Sequence, residues 1–237
     1  MTYSELVEAA PRGAAQFGAA DLRRLPAKVL AELLASAPPA ERELFEKGDL
    51  GAIGRLTKAG FWPLVYHLEP ERWDALSKAE PIHPGVLAAL PVDDARVLEV
   101  AAGTGRLTKH LAARARALIA VEPAAPLREM LQRRFPEVAV LDGVARELPV
   151  SKGWADVTVS CASLGPDPAI LEEAERCTRR GGLHALISPG EPAWFEQHGY
   201  ERLRFDPSQV KIPPHDPELE EFFGPLDPPH ELLLKPL

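Results

Sequence analysis

The chain has 237 residues, 46 % of them hydrophobic and 26 % charged, with a formal net charge of −8. That length allows one domain of roughly 150 residues and an accessory region. The acidic balance disfavours a surface that tracks nucleic-acid phosphates, and no apolar run reaches the ~18 residues of a membrane span. Its two cysteines, Cys161 and Cys177, form neither a metal-ligand spacing nor a disulfide framework, and no basic-then-apolar leader opens the chain, so a cytoplasmic protein is expected.

Residues 1–92 read as short helices punctuated by proline. Thr2-x-x-Glu5 is a capping-box pattern. Pro26 and Pro39 stand where first-turn prolines belong, ahead of helices over 27–34 and 40–45. Asp49 is placed to cap a helix over 50–58; residues 60–63 break it, and Pro70 starts another that contains Trp73 and Leu76. Phe61, Trp62, Tyr66 and Trp73 cluster in a chain that is only 6 % aromatic, and packing of the helices onto a following sheet is their plain expectation. Tyr66, His67 and His83 are the groups here that could serve as a general base or orient a nucleophile. Tyr66 and His83 stand as weak catalytic candidates, with a solvated or capping role expected of each histidine. Residues 83–90 form the helix leading into the first strand. The 25 prolines and the absence of asparagine suit a thermophile and a GC-rich genome equally.

Residues 95–100 form a short buried strand, apolar except for Glu99 near its end. Gly103-Thr104-Gly105 then makes a tight turn that opens into a helical pattern over 107–113. A strand, a glycine turn and a helix bring backbone close to a nucleotide-like ligand, and a Cβ would obstruct that approach. A dinucleotide fingerprint would carry glycine where Thr108 stands. Glu99, four residues before Gly103, would repel a pyrophosphate but attract a cation. The stretch Glu99-x-Ala101-x-Gly103-x-Gly105 resembles motif I of class I S-adenosylmethionine-dependent methyltransferases, departing from it where Ala101 replaces the first glycine. The resemblance implies that Glu99 lies under the methionyl ammonium, while the backbone of Ala101, Gly103, Thr104 and Gly105 lines methionine and ribose. It also implies an α/β fold, a Rossmann-like, doubly wound seven-stranded sheet over residues 93–237. Residues 1–92 would be a helical cap covering the acceptor pocket, with Trp62, Tyr66 and Trp73 as its candidate substrate-lining residues.

The next apolar run, 117–121, ends at Glu122, about twenty residues past the turn, where a strand-tip carboxylate can accept from both ribose hydroxyls. Glu122-Pro123-x-x-x-Leu127 resembles the family's acid-x-S-x-x-M motif, which places Leu127 on the adenine. Arg128, Arg133 and Arg134 read as a solvated helix face. After a third strand over 137–141, residues 143–149 resemble the family's G-D-A-E-x-L-P segment. The family's adenine-binding acid aligns with Val144, so either Asp142 swings in or the backbone around Gly143, Val144 and Ala145 holds the ring; the backbone is favoured. A fourth strand over 155–160 delivers Cys161 and Ser163 to the carboxyl edge, Cys161 beside the cofactor as a small apolar group and Ser163 as a third weak catalytic candidate. A helix over 170–179 is expected to close on Gly181-Gly182. Strands follow over 183–187 and 200–205, with a helix over 192–198 between them. Residues 231–235 should supply a final antiparallel strand beside the sixth. Residues 207–229, rich in proline and acids and carrying Phe222 and Phe223, read as an irregular surface loop or a substrate flap.

The function implied is transfer of the methyl of S-adenosylmethionine to a small-molecule acceptor, leaving S-adenosylhomocysteine, with the enzyme acting mainly by alignment. No metal is implied, and a monomer or homodimer is expected. The alternatives are a catalytically inactive cofactor-binding or regulatory module of the same fold, a nucleic-acid methyltransferase, which the −8 charge opposes, and a nicotinamide enzyme, which Glu99 and Thr108 oppose.

Overall fold

The computed structural model describes residues 2–237. The chain divides into two compact units: one holds the chain up to Ala79 together with Pro214–Leu226, the other Glu80–Pro213 and Asp227–Leu237.

The first unit is helical. Its helices are α1 (Tyr3–Glu8), α2 (Ala19–Leu22), α3 (Ala27–Ser36), α4 (Pro39–Glu46), α5 (Leu50–Ala59), α6 (Phe61–Leu68) and α7 (Pro70–Ala79). Local chemistry starts several of them. The Thr2 amide donates to Glu5 Oε2 at 2.7 Å while the Thr2 hydroxyl caps Glu5, and Asp49 accepts from the Ala52 amide at 2.8 Å. These bonds satisfy amides that the helix itself leaves unpaired. Leu22, Leu33, Phe45, Leu56 and Leu64 meet in one buried cluster.

The second unit begins with α8 (Pro84–Ala89), whose Val86 packs with Ile82, Leu90 and Val92 against Val97, Leu107 and Val157. Its sheet comprises β1 (Arg96–Val100), β2 (Ala117–Val121), β3 (Ala139–Leu141), β4 (Ala155–Cys161), β5 (Thr178–Ile187), β6 (Glu201–Arg204) and β7 (Glu231–Pro236). The strand order is β3-β2-β1-β4-β5-β7-β6, parallel except for β7, which runs antiparallel between β5 and β6. Helices α9 (Thr108–Leu111), α10 (Ala125–Arg134), α11 (Pro168–Cys177) and α12 (Pro192–Gln197) join the strands. The seven-stranded doubly wound architecture and the antiparallel last strand are as expected from the sequence.

Three local expectations are corrected. The helix after the glycine turn spans four residues, because the turn continues to Leu107. Gly181 and Gly182 do not cap α11; β5 starts directly at Thr178, and its pairing with β4 slips between Ala155 and Val157. The glycines fill that irregularity, where a Cβ on Gly182 would lie 2.8 Å from the Asp156 carbonyl. Residues 207–229 are not wholly irregular either. Glu218–Phe223 form α13, which returns to the helical unit and packs Phe222 against Ala14, Phe61 and Val65.

Candidate functional site

The order of the strands places the topological switch between β1 and β4, and ligands of open parallel sheets sit at the carboxyl ends of such neighbours. Three adjacent strands turn there on non-glycine residues with positive φ: Ala101 (57°) after β1, Ala162 (51°) after β4 and Ser188 (43°) after β5. Each is held by neighbouring backbone. Ala102 donates to the Val121 carbonyl at 3.1 Å and Ala162 to the Ile187 carbonyl at 2.8 Å, while the Ser188 hydroxyl accepts from His230 and Glu231. Strained backbone that the surrounding fold over-determines is concentrated at one edge of the sheet.

Two carboxylates are buried at that edge. Glu99, on β1, is 2 % exposed, and Oε2 accepts from the Thr108 hydroxyl at 2.6 Å. Burial pushes its carboxyl up to about 8, against the Thr108 hydrogen bond and with the Glu122 charge adding to the rise. Glu122, at the tip of β2, is 4 % exposed and also raised by burial. Its Oε2 accepts from the Gly103 amide at 2.8 Å and its Oε1 from the Ala124 amide at 2.9 Å. A carboxylate offers about four lone-pair directions, so each oxygen retains one for a ligand hydroxyl.

The turn itself is tightly packed. Gly105 has φ 101°, and a Cβ there would come within 2.5 Å of the Phe135 ring. Thr104 is buried and its hydroxyl has no partner, a polar atom left for a ligand to satisfy. Two buried carboxylates, an orphaned hydroxyl and a positive-φ amide turn fit a ligand that carries a cation and a vicinal diol; they do not fit a pyrophosphate. S-adenosylmethionine is such a ligand.

The other expected positions divide. Gly143, Val144 and Ala145 follow β3 at the same edge, and Val144 is bridged to Glu147. Asp142 does not turn in: its side chain is 71 % exposed and pairs with Arg128 at 3.2 Å. Pro123 is exposed, whereas Leu127 is only 1 % exposed and offers no free face. Cys161 is half-buried with its thiol pushed up to about 11 by burial, and Ser163 is exposed. His83 caps α8, its Nδ1 accepting from the Gly85 amide at 2.9 Å while its ring stacks on Phe205; its Nε2 is buried without a partner. Trp62, Tyr66 and Trp73 belong to the helical unit, where they contact one another, and Trp62 stacks on Phe223.

The arginines after Glu122 are not simply solvated. Arg128 donates to the carbonyls of Glu122 and Pro123 at 2.8 and 2.9 Å, and Arg134 to the Thr104 carbonyl at 2.7 Å. Both brace the turn and the β2 tip from α10. The available signal was an arginine one turn into the helix that follows the strand-tip acid.

A methyltransferase-domain family model matches residues 97–182. A curated uncharacterised methyltransferase of Mycobacterium bovis is 36 % identical over 100 residues, 41 % of each chain. One from Oceanobacillus iheyensis is 40 % identical over 117 residues, 49 % of this chain and 53 % of the relative. The chain thus spans between four-tenths and about half the length of these two relatives. A solved S-adenosylmethionine-dependent methyltransferase from Thermotoga maritima superposes with a TM-score of 0.47 at 20 % identity, covering 70 % of this chain and 93 % of the other.

Proposed function

From the match of residues 97–182 to a methyltransferase-domain family model, we propose an S-adenosylmethionine-dependent methyltransferase that acts on a small-molecule acceptor. The observation that carries the proposal is the pairing of buried Glu99 and Glu122 across one strained glycine turn at the β1/β4 switch. When bound, S-adenosylmethionine supplies a methyl group activated by its sulfonium. Glu99 is assigned to the methionyl ammonium and Glu122 to the ribose hydroxyls. The amides and carbonyls of 101–105 line methionine and ribose, and the backbone of 143–145 holds the adenine. Cys161, at the end of β4, borders the place where donor and acceptor meet. With no ionised base assigned there, the protein's contribution is alignment of an acceptor already nucleophilic, which can supply much of the rate.

The small-molecule acceptor is supported by the net charge of −8, which opposes a nucleic-acid substrate. A second reading, a cofactor-binding module without turnover, is favoured by the outward-turned Asp142 and by the strained Ala101 in place of glycine. Calorimetric titration with S-adenosylhomocysteine, with NADH as control, tests the cofactor assignment. Micromolar binding of the former alone, abolished in Glu122→Ala, is the expected result; its absence refutes the enzyme. Turnover on a panel of amine, thiol and phenol acceptors then separates enzyme from module.

A further inference from the structure

Arg106 follows the glycine turn directly, yet only 8 % of its side chain is exposed. It is turned inward, where its Nη1 meets Glu80 Oε2 at 3.1 Å. Burial is the main cause that raises the Cys161 thiol; the nearby Arg106 charge lowers it, and the charges of Glu99 and Glu80 add to the rise. β1 and β4 are neighbours with Val100 opposite Ser160, so the turn that carries Arg106 and the end of β4 at Cys161 lie side by side at the switch point. Glu80 is fixed from a second side, its Oε1 accepting from the Asp227 amide at 2.9 Å. Its carboxylate is 15 % exposed, so the pair is poorly screened by solvent.

A guanidinium at this place is at odds with a cationic ligand. Any positive charge seated beside Cys161 is repelled by Arg106 unless Glu80 neutralises it. Resting on the cofactor assignment above, we propose that Glu80 is a specificity-determining counter-charge. By cancelling Arg106 it sets how strongly the site prefers the sulfonium cofactor over the neutral thioether product. The two ligands share adenosine and the methionyl carboxylate and ammonium, and differ by the methyl and its formal charge. A change in packing or folding moves both affinities together; a change in local charge moves their ratio.

The experiment is calorimetric titration of the full chain at pH 8 with S-adenosylmethionine and, separately, S-adenosylhomocysteine. Glu80→Gln preserves the size and the hydrogen-bonding reach of the side chain and should weaken the sulfonium ligand about tenfold more than the thioether. Arg106→Met should shift the ratio the opposite way, and the double variant should return it to within about threefold of wild type. A ratio unchanged in Glu80→Gln while both ligands still bind overturns the proposal. So does an equal loss of both ligands in Arg106→Met, which would make Arg106 a contact of their shared methionyl group. Should Glu80→Gln not fold, the opposite shift in Arg106→Met decides alone. Wild type that binds neither ligand instead refutes the cofactor assignment, and the proposal with it.

Discussion

The carboxylate of Glu122 accepts a hydrogen bond from the amide of Gly103 at 2.8 Å, so the tip of β2 and the turn after β1 are joined before any ligand arrives. The second oxygen is bound just as locally, by the Ala124 amide. The acid therefore builds the turn as well as offering lone pairs to a ribose. Glu122→Gln keeps the shape but turns an NH2 group toward one of the two amides, leaving a buried donor unsatisfied. The expected cost is about 1–3 kcal/mol of folding stability, seen as a lower denaturation midpoint with no change in slope. An unchanged midpoint would mean that the Gly103 bond contributes nothing to the fold.

Ala101 carries φ 57° where a glycine would sit without strain. A left-handed alanine costs roughly 1–2 kcal/mol, part of which a glycine returns through the greater entropy of its unfolded chain. Ala101→Gly should stabilise the protein by about 0.5–1 kcal/mol and leave S-adenosylhomocysteine affinity within about twofold. A destabilised variant would show that the methyl group of Ala101 is needed for packing at the carboxyl edge.

The β1 turn and the sheet were legible because they depend on contiguous chemistry: an apolar run, a carboxylate at its end, glycines where φ must be positive. What was not legible depends on contacts between distant segments. Arg128 and Arg134 lie on a helix face that looks solvated, and only the fold reveals that they reach the carbonyls of Glu122 and Thr104. The pairing of Asp142 with Arg128, 14 positions earlier, is likewise visible only in the fold. Glu80 bears no motif at all; its meaning comes from Arg106, 26 positions later. Proline and acid content hid α13, whose helix is fixed by Phe222 packing among distant residues of the helical unit rather than by its own propensity.

Glu99 makes a pH-dependent contribution of known sign. Below the ordinary value of 4.5 the folded and unfolded chains both hold its proton. Between there and about 8 the unfolded chain has released the proton while the folded one retains it. Stability therefore falls as pH rises through this window and levels off above it, by at most about 1.4 kcal/mol per pH unit. Glu99→Gln removes that term, so its melting temperature should gain on wild type steadily from about pH 5 to 8. A ligand ammonium requires the ionised form, so the affinity of wild type for S-adenosylhomocysteine should rise across the same interval with release of a proton. Calorimetry in buffers of different ionisation enthalpy reads that proton directly; a flat profile with no proton release would place the ammonium elsewhere.

Phe222 tests whether α13 belongs to the helical unit or merely rests on its surface. Its side chain is buried, its ring lies 5.4 Å from that of Phe61 and 6.2 Å from that of Phe17, and the Arg72 guanidinium sits 4.2 Å above it. The fit is close enough that a Cβ on Gly13 would come within 2.4 Å of the ring. Truncating a buried phenylalanine costs about 3–5 kcal/mol through lost transfer energy and the cavity left behind. Phe222→Ala should therefore lower the stability of the helical unit by that amount and open residues 214–226 to limited proteolysis. The sheet unit, with its own core, should keep its affinity for S-adenosylhomocysteine. A surface-loop phenylalanine would give within about 0.5 kcal/mol and no new cleavage, in which case α13 contributes nothing to the core it touches.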